Sequence, residues 1–317
     1  MYEKPSLKNV LKRPMPLKVG DSVALIAPSS PVTCEKLQLS VNSVKLLGLH
    51  PVVFPCCHLS HGYLAGADTL RAKDVNHAFA DSKIKGVFCL RGGYGVSRIL
   101  DQIDFQLIKK NPKVFLGYSD ITGLHTAINQ LCKLVTFHGP MPTRGWDTLD
   151  DFSLNSLKHH LFTTEAAGLC PMPSGEKTET LFSGTTQGII TGGNLSLLAA
   201  TLGSPYEIDT KGKLLFIEDT DEKPYRLDKA LSALALAGKF KDCAGIILGT
   251  WANCTALDED GQPGGSLTLH EIFEEVVVPY KKPTINNFRA GHIYPQLTIP
   301  LGTMVSLDAS KGTVTFL

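Results

Sequence analysis

The first stretch that could carry chemistry is Val114-Phe-Leu-Gly-Tyr-Ser-Asp-Ile121. A short apolar strand ends at Gly117, and a helix begins just after Ser119. A serine at such a strand-to-helix turn stands exposed at the carboxyl edge of a sheet. The helix N-terminus aims the next residue's N–H at the same place. This is how a nucleophile elbow presents a hydroxyl. The pattern is G-x-S-x-I, without the second glycine of G-x-S-x-G, and the same residues also suit a plain helix cap at Ser119 or Asp120. Arg91-Gly-Gly-Tyr-Gly95 follows the apolar run GVFCL. Adjacent glycines let a backbone approach a ligand, so this loop is either a cradle of N–H groups or a tight turn. It fits a dinucleotide loop poorly. Gly93-x-Gly95-x-x-Arg98 lacks the third glycine, and no acidic residue closes a following strand at the required distance.

Two further segments could supply partners. Lys213-Leu-Leu-Phe-Ile-Glu-Asp219 is an apolar strand ending in two carboxylates. Glu218 there could orient an imidazole, or the acids could simply face water. Ala290-Gly-His-Ile-Tyr-Pro295 carries His292 on a loop after a glycine, which favours access over burial. Cys56, Cys57, His58 and His61 offer metal ligands at close spacing. No second cluster completes such a site and no HExxH occurs, so no metal is expected.

The elements that must position these groups alternate in type. Strands at Ser22–Ala27, Pro51–Phe54, Gly86–Leu90 and Val114–Leu116 are interleaved with helical patterns at Glu35–Leu47, 68–80, Val96–Ile103 and Ile121–Leu131. The last has apolar spacing at Ile121, Leu124, His125 and Ile128. Such alternation predicts parallel βα units in an α/β sheet. Residues 141–184, rich in proline and glycine, read as a linker with one short helix near 153–162. Beyond it come strands at Gln187–Thr191, Lys213–Ile217, Gly245–Leu248 and Met304–Leu307. Helices are expected at Leu195–Leu202, Leu227–Ala237 and Leu269–Val277. The division predicted is a nucleophile domain over 1–140, the linker, and a second domain, mixed α/β and rich in strands, over 185–317 that carries Glu218 and His292.

The 317 residues exceed the usual single-domain size, in line with that division. With 31 basic and 30 acidic side chains, the formal net charge is +1. That balance gives no reason to expect a nucleic-acid or membrane partner. The early basic residues (Lys4, Lys8, Lys12, Arg13, Lys18) lie among prolines and read as a solvated leader. No signal peptide or membrane-length apolar run is read in the chain. The eight cysteines contain no CxxC pair and read as free thiols of a reducing compartment.

Several blocks, in order along nearly the whole chain, resemble the LD-carboxypeptidases. This is the serine peptidase family that contains murein tetrapeptide carboxypeptidase and the microcin C immunity peptidase. The blocks are GDSVALIAPSSP (20–31), YLAGADTLRAKDVNHAFAD (63–81), IKGVFCLRGGYGVSRIL (84–100), FLGYSDITGLHTAI (115–128), TFHGPM (136–141), GGNLSLLAATLGSPY (192–206), LLFIEDTDEKPYRLDKAL (214–231) and GHIYPQLTIPLG (291–302). Gly123 stands where the family usually has alanine.

The resemblance implies a Rossmann- or flavodoxin-like first domain and a triad. Ser119 would be nucleophile, His292 general base, and Glu218 the orienting acid, with oxyanion donors from the N–H groups of Gly93 and Asp120. The nucleophile and its partners would then meet where the two domains join. It also implies a muropeptide substrate ending in a D-residue, no cofactor, and a cytoplasmic homodimer acting in peptidoglycan recycling. Arg226 is the candidate for the substrate's terminal carboxylate, and Tyr94 and Asn194 for other contacts. The alternatives are cleavage of a peptidyl-nucleotide and a non-catalytic ligand-binding homologue.

Overall fold

A computed structural model describes residues 11–255 and 265–317; the leader residues Lys4 and Lys8 lie outside them. The described residues divide into two compact units: Leu11–Glu165 with Pro295–Gly302, and Ala166–Tyr294 with Thr303–Leu317.

The first unit follows the predicted alternation. Its elements are β1 (Ser22–Ile26), α1 (Cys34–Leu46), β2 (His50–Val53), α2 (Asp68–Ala80), β3 (Ile84–Cys89), α3 (Phe105–Lys110), β4 (Val114–Gly117), α4 (Thr122–Ala127), β5 (Thr136–His138) and α5 (Asp151–Phe162). The strands line up as β2-β1-β3-β4-β5, all parallel. This is the flavodoxin-like order, in which the chain reverses its direction of winding between β1 and β3. Ligands in such sheets bind beyond the carboxyl ends of the strands at that reversal. A late strand, Ile299–Leu301, pairs antiparallel with β5 and closes that edge; its Pro300 is tolerated because the strand is outermost. Both faces are covered. Leu25, Phe88, Leu116 and Phe137 of the strands pack with Val44, Trp146 and Leu157, all essentially buried. Each such side chain contributes roughly 1.5–3 kcal/mol by leaving water.

The second unit continues with β6 (Gly168–Leu169), β7 (Glu179–Phe182), β8 (Thr185–Asn194), α6 (Leu195–Ala200), β9 (Leu214–Thr220), α7 (Pro224–Leu236), α8 (Lys239–Asp242), β10 (Gly245–Ala252), α9 (Leu269–Val276), β11 (Thr284–Asn286), β13 (Met304–Asp308) and β14 (Thr313–Phe316), the strand of the first unit, Ile299–Leu301, being β12 in chain order. Its eight strands run β6-β14-β13-β8-β9-β10-β11-β7. The centre from β8 to β11 is parallel, and the flanks are antiparallel. β9 and β10 are continuous apolar runs because they lie inside the sheet, and Leu215, Ile217, Ile246 and Leu248 pack against Leu227 and Leu231 of α7 and Phe273 of α9. Pro224 opens α7 at a position where its missing N–H costs nothing.

The fold is thus mixed α/β in two units, as the patterning predicts. Two local readings change. The stretch 141–184 is not a plain linker: it is shared between the units. Residues up to Glu165 stay with the first because α5 buries Leu157 and Leu161, and Gly168–Leu169 and Glu179–Phe182 join the second sheet. The helix expected at Val96–Ile103 is instead two short 3-10 turns, Val96–Arg98 and Leu100–Gln102, entered from Gly95 at φ +141°. Gly123 fits its place: a β-carbon there would come within 2.9 Å of Val96 Cγ1.

Candidate active site

The carboxyl ends of β1, β3 and β4 bring three loops together. After β4, Tyr118 is extended and Ser119 turns to φ +66°, a left-handed conformation that an L-residue adopts only where its surroundings force it. A 3-10 turn over Ser119–Ile121 then leads into α4. This is the elbow that the residue pattern suggested. It is braced from behind by His125, whose Nε2–H donates to the Gly117 carbonyl at 2.9 Å. Burial pushes that imidazole down to about 4, so it stays neutral.

The glycine loop lies directly against the nucleophile. A β-carbon on Gly92 would meet Ser119 Cβ at 2.7 Å, Ser119 Oγ at 2.8 Å and the Asp120 amide nitrogen at 3.2 Å. Only glycine fits beside the serine at this point. Gly93 follows at φ +99°, and its amide has no acceptor among the described residues. The N–H of Gly93, the N–H of Asp120 and the hydroxyl of Ser119 therefore belong to one neighbourhood, the composition an oxyanion site requires.

What fixes this neighbourhood is a set of buried side chains that the linear motifs did not reveal. The Asp120 carboxylate is fully buried, and its Oδ2 accepts from the Val96 N–H at 2.9 Å. Ser29 Oγ lies 2.5 Å from the same oxygen and 2.9 Å from the Gly92 carbonyl. Burial raises the Asp120 pKa, only partly offset by Ser29, Val96 and the charge of Arg71. Ser30 Oγ accepts from the Tyr94 N–H at 3.2 Å. Arg71 of α2 is wholly buried and donates to the carbonyls of Pro28, Gly66 and Gly95 and to Asp68 at 2.5 Å. Asp68 also pairs with Arg98 at 2.9 Å. One signal was available: Arg71 sits on the buried stripe Arg71, Val75, Ala78 of α2, where a cation needs carbonyl partners.

The second unit contains the other pair. β9 carries Glu218 near its carboxyl end, completely buried beside Asn194 of β8. His292 Nδ1 lies 2.6 Å from Glu218 Oε2, with 15% of its side chain exposed. Gly291 allows this approach: at φ +133°, a β-carbon there would sit 2.8 Å from Glu218 Oε2 and 2.5 Å from Thr250 Oγ1. The loop is pinned on both sides of the glycine. Ala290 O accepts from Thr250 N at 3.0 Å, and Arg289 donates to Tyr294 O at 3.0 Å. Burial alone would push the imidazole pKa down. The Glu218 charge and hydrogen bond outweigh that and hold it above the ordinary histidine value. Burial pushes Glu218 up, and His292 draws it only part of the way back. With Nδ1–H donating to the Glu218 carboxylate, Nε2 is the nitrogen left to act as base.

The predicted substrate contacts fare differently. Tyr94 is 45% exposed and packs on Tyr63 at a ring distance of 5.8 Å. Asn194 is spent inside the protein: it caps α6 through Leu197 N at 3.2 Å and donates to Asp219 Oδ1 at 2.7 Å. It is 3% exposed and supports β9's carboxylates. Arg226 is exposed and shares its guanidinium between Tyr225 Oη at 3.1 Å and Glu222 at 3.5 Å. Of the sulfur and imidazole cluster, Cys56 and Cys57 are buried, and burial pushes the Cys56 thiol up to about 12. Among the described residues no group of three or more metal-ligating side chains gathers, and no helix is long and apolar enough to cross a membrane.

Comparison with known proteins identifies the family. The LD-carboxypeptidase N-terminal domain matches residues 23–139 and the LD-carboxypeptidase C-terminal domain residues 187–307. A probable murein peptide carboxypeptidase of Bacillus subtilis is 41% identical over 306 residues, 95% of this chain and 93% of that protein. A crystal structure of an MccF-like protein from Bacillus anthracis superposes with a TM-score of 0.86 at 26% identity, covering 96% of this chain and 99% of the other. A muramoyltetrapeptide carboxypeptidase from Oxalobacter formigenes gives 0.78 at 26% identity, over 93% and 97% of the two chains. The chain belongs to the LD-carboxypeptidase family and is a peptidase of the serine class.

Proposed function

We propose that this protein is a serine LD-carboxypeptidase that removes the C-terminal D-amino acid of a murein tetrapeptide. Ser119 attacks the carbonyl of the scissile amide. His292 accepts the hydroxyl proton at Nε2 and returns it to the leaving amine, so the C–N bond breaks as the amine is protonated. Glu218 holds the imidazole by Nδ1 and stabilises its cationic form. The N–H groups of Gly93 and Asp120 hold the oxyanion; removing one such donor typically costs about 100- to 1000-fold in turnover. Water, activated by the same histidine, then releases the acyl group. No step needs a metal or cofactor.

The observation that carries this reading is the strained serine at φ +66° pressed against Gly92, in a chain that also pairs His292 with a buried Glu218 at 2.6 Å. The likeness to a murein peptide carboxypeptidase supports the substrate class. The same reading sets the enzyme in the cytoplasm, in peptidoglycan recycling, as a homodimer; fractionation and light scattering test those points. Incubation with a set of muropeptides, followed by mass spectrometry, tests the activity. Release of D-alanine from the tetrapeptide is expected, with the tripeptide untouched. Cleavage of an aminoacyl sulfamoyl adenylate alone would establish the peptidyl-nucleotide alternative. Specific binding without turnover would establish a ligand-holding homologue.

A further inference from the structure

Gly92 and Gly93 are adjacent, so no β-carbon on either side restrains the peptide unit between them. That peptide carries the Gly93 N–H. The freedom that lets this backbone lie against Ser119 also lets the N–H turn, so another part of the chain must set its direction. The loop after β1, Pro28-Ser29-Ser30-Pro31, lies alongside. Ser30 N–H donates to the Gly92 carbonyl at 3.2 Å, and Ser30 Oγ accepts from the Tyr94 N–H at 3.2 Å. One residue thus holds the peptide units on both sides of Gly93. Ser30 is 7% exposed, and a β-carbon on Gly93 would run into its Oγ. The two loops are tied at their outer ends as well. Arg91 donates to Pro31 O at 3.0 Å, and Arg71 donates to both Pro28 O and Gly95 O.

We propose that Ser30 is a positioning residue of the oxyanion site, acting through Gly93 by setting the direction of its N–H; the inference rests on the hydrolase reading above. A trans peptide is planar, with its C=O and N–H on opposite sides. Anchoring the Gly92 carbonyl on the Ser30 N–H therefore turns the Gly93 N–H away from the β1 loop. Ser29 Oγ lies 2.9 Å from the same carbonyl and adds a second contact on it. The Ser30 hydroxyl holds the following peptide, because rotation there would take the Tyr94 N–H off its acceptor. An oxyanion donor is effective when it is aimed before the charge develops. A glycine pair whose peptide is clamped from outside meets both demands of the site: room beside Ser119 and a donor held in one direction. The Ser30 N–H belongs to the backbone, so the hydroxyl is the part of the clamp that a substitution removes.

Ser30→Ala in the full-length protein removes the acceptor and keeps the backbone donor. Ser30→Cys fills the same space with a weaker acceptor. On the tetrapeptide, kcat should fall about 10- to 100-fold in Ser30→Ala with KM within about twofold of wild type, and Ser30→Cys should lie between. Calorimetric titration of Ser119→Ala with the tetrapeptide, with and without Ser30→Ala, should show equal affinity, since the ground state does not use the donor. The rate at which a fluorophosphonate labels Ser119 should fall by the same factor as kcat, because its phosphoryl oxygen draws on the same donors. A lower melting temperature with kcat and labelling unchanged marks a merely structural serine and overturns the proposal, as does a raised KM with kcat intact. Should Ser30→Ala fail to fold, Ser30→Cys decides, with a loss of about threefold or more expected in both kcat and labelling. Labelling needs no peptide substrate, so the two readings can fail separately. If wild type hydrolyses no muropeptide but Ser30→Ala still slows labelling, the carboxypeptidase reading falls and the positioning role stands. If wild type hydrolyses the tetrapeptide and Ser30→Ala labels at the wild-type rate, the carboxypeptidase reading stands and the positioning role falls.

Discussion

Glu218→Gln separates the electrostatic role of the carboxylate from its shape. The residue is fully buried and 2.6 Å from His292 Nδ1. Glutamine is nearly isosteric, so the strand and the loop should keep their positions while the charge disappears. Two effects on His292 now oppose each other: burial pushes its pKa down and Glu218 pushes it up. Removing the second leaves the first unopposed. The imidazole should therefore fall to below the ordinary histidine value. A general base works only when deprotonated. In wild type, kcat/KM should therefore fall as pH drops through a value above the usual 6.5 for histidine; in Glu218→Gln that acid limb should move to lower pH. At its plateau the variant should be slower by a factor of about 10,000, because Nδ1 is no longer held in the productive tautomer. The same proton accounting applies to stability. A raised His292 value stabilises the fold at acidic pH, and this contribution is lost as pH rises through the folded value; Glu218→Gln should abolish it. The assay is a pH series of D-alanine release, with wild type and variant in the same buffers. An acid limb that stays in place, or a plateau within tenfold of wild type, would refute the pairing as the source of basicity.

Three further outcomes follow from the first unit's geometry. Gly92→Ala puts a β-carbon 2.7 Å from Ser119 Cβ, so turnover should fall by about 100-fold or more, with a melting temperature close to wild type. Asp120→Ala strips the Val96 N–H and Ser29 of their buried acceptor; a loss of about 2–4 kcal/mol in denaturant unfolding is expected, with turnover reduced as the glycine loop loosens. Arg71→Met leaves the carbonyls of Pro28, Gly66 and Gly95 without their donor, and should cost about 3 kcal/mol or more by the same measurement. A melting curve like wild type would remove Arg71 from the account.

The sequence declares those parts of the fold whose physics is local. Helix α2 is readable from its stripe, and β1, β3 and β4 from short apolar runs closed by glycine or proline, so the strand-helix alternation and the elbow at Ser119 were legible. What stays hidden depends on partners far away in the chain. β5 is three residues long and β12 contains Pro300; neither shows a strand signal, yet both complete the sheet edge. The turns after Gly95 looked helical because their apolar spacing is helical. Gly95 at φ +141° and the capture of Val96 N–H by Asp120 decide otherwise. Asp120 was legible as a backbone donor but not as a carboxyl that ties three loops together, since Ser29 lies 91 residues away. The internal bonds of Asn194 were hidden for a related reason: nothing local in the sequence shows that Asp219 and Leu197 engage it.

The central claim is that Ser119 is the nucleophile. Intact-mass spectrometry after treatment with a fluorophosphonate, followed by peptide mapping, tests it most directly. One adduct per chain is predicted, on Ser119, with its formation tracking the loss of tetrapeptide hydrolysis and absent from Ser119→Ala. An adduct on another residue, or hydrolysis that survives in Ser119→Ala within tenfold of wild type, would contradict it.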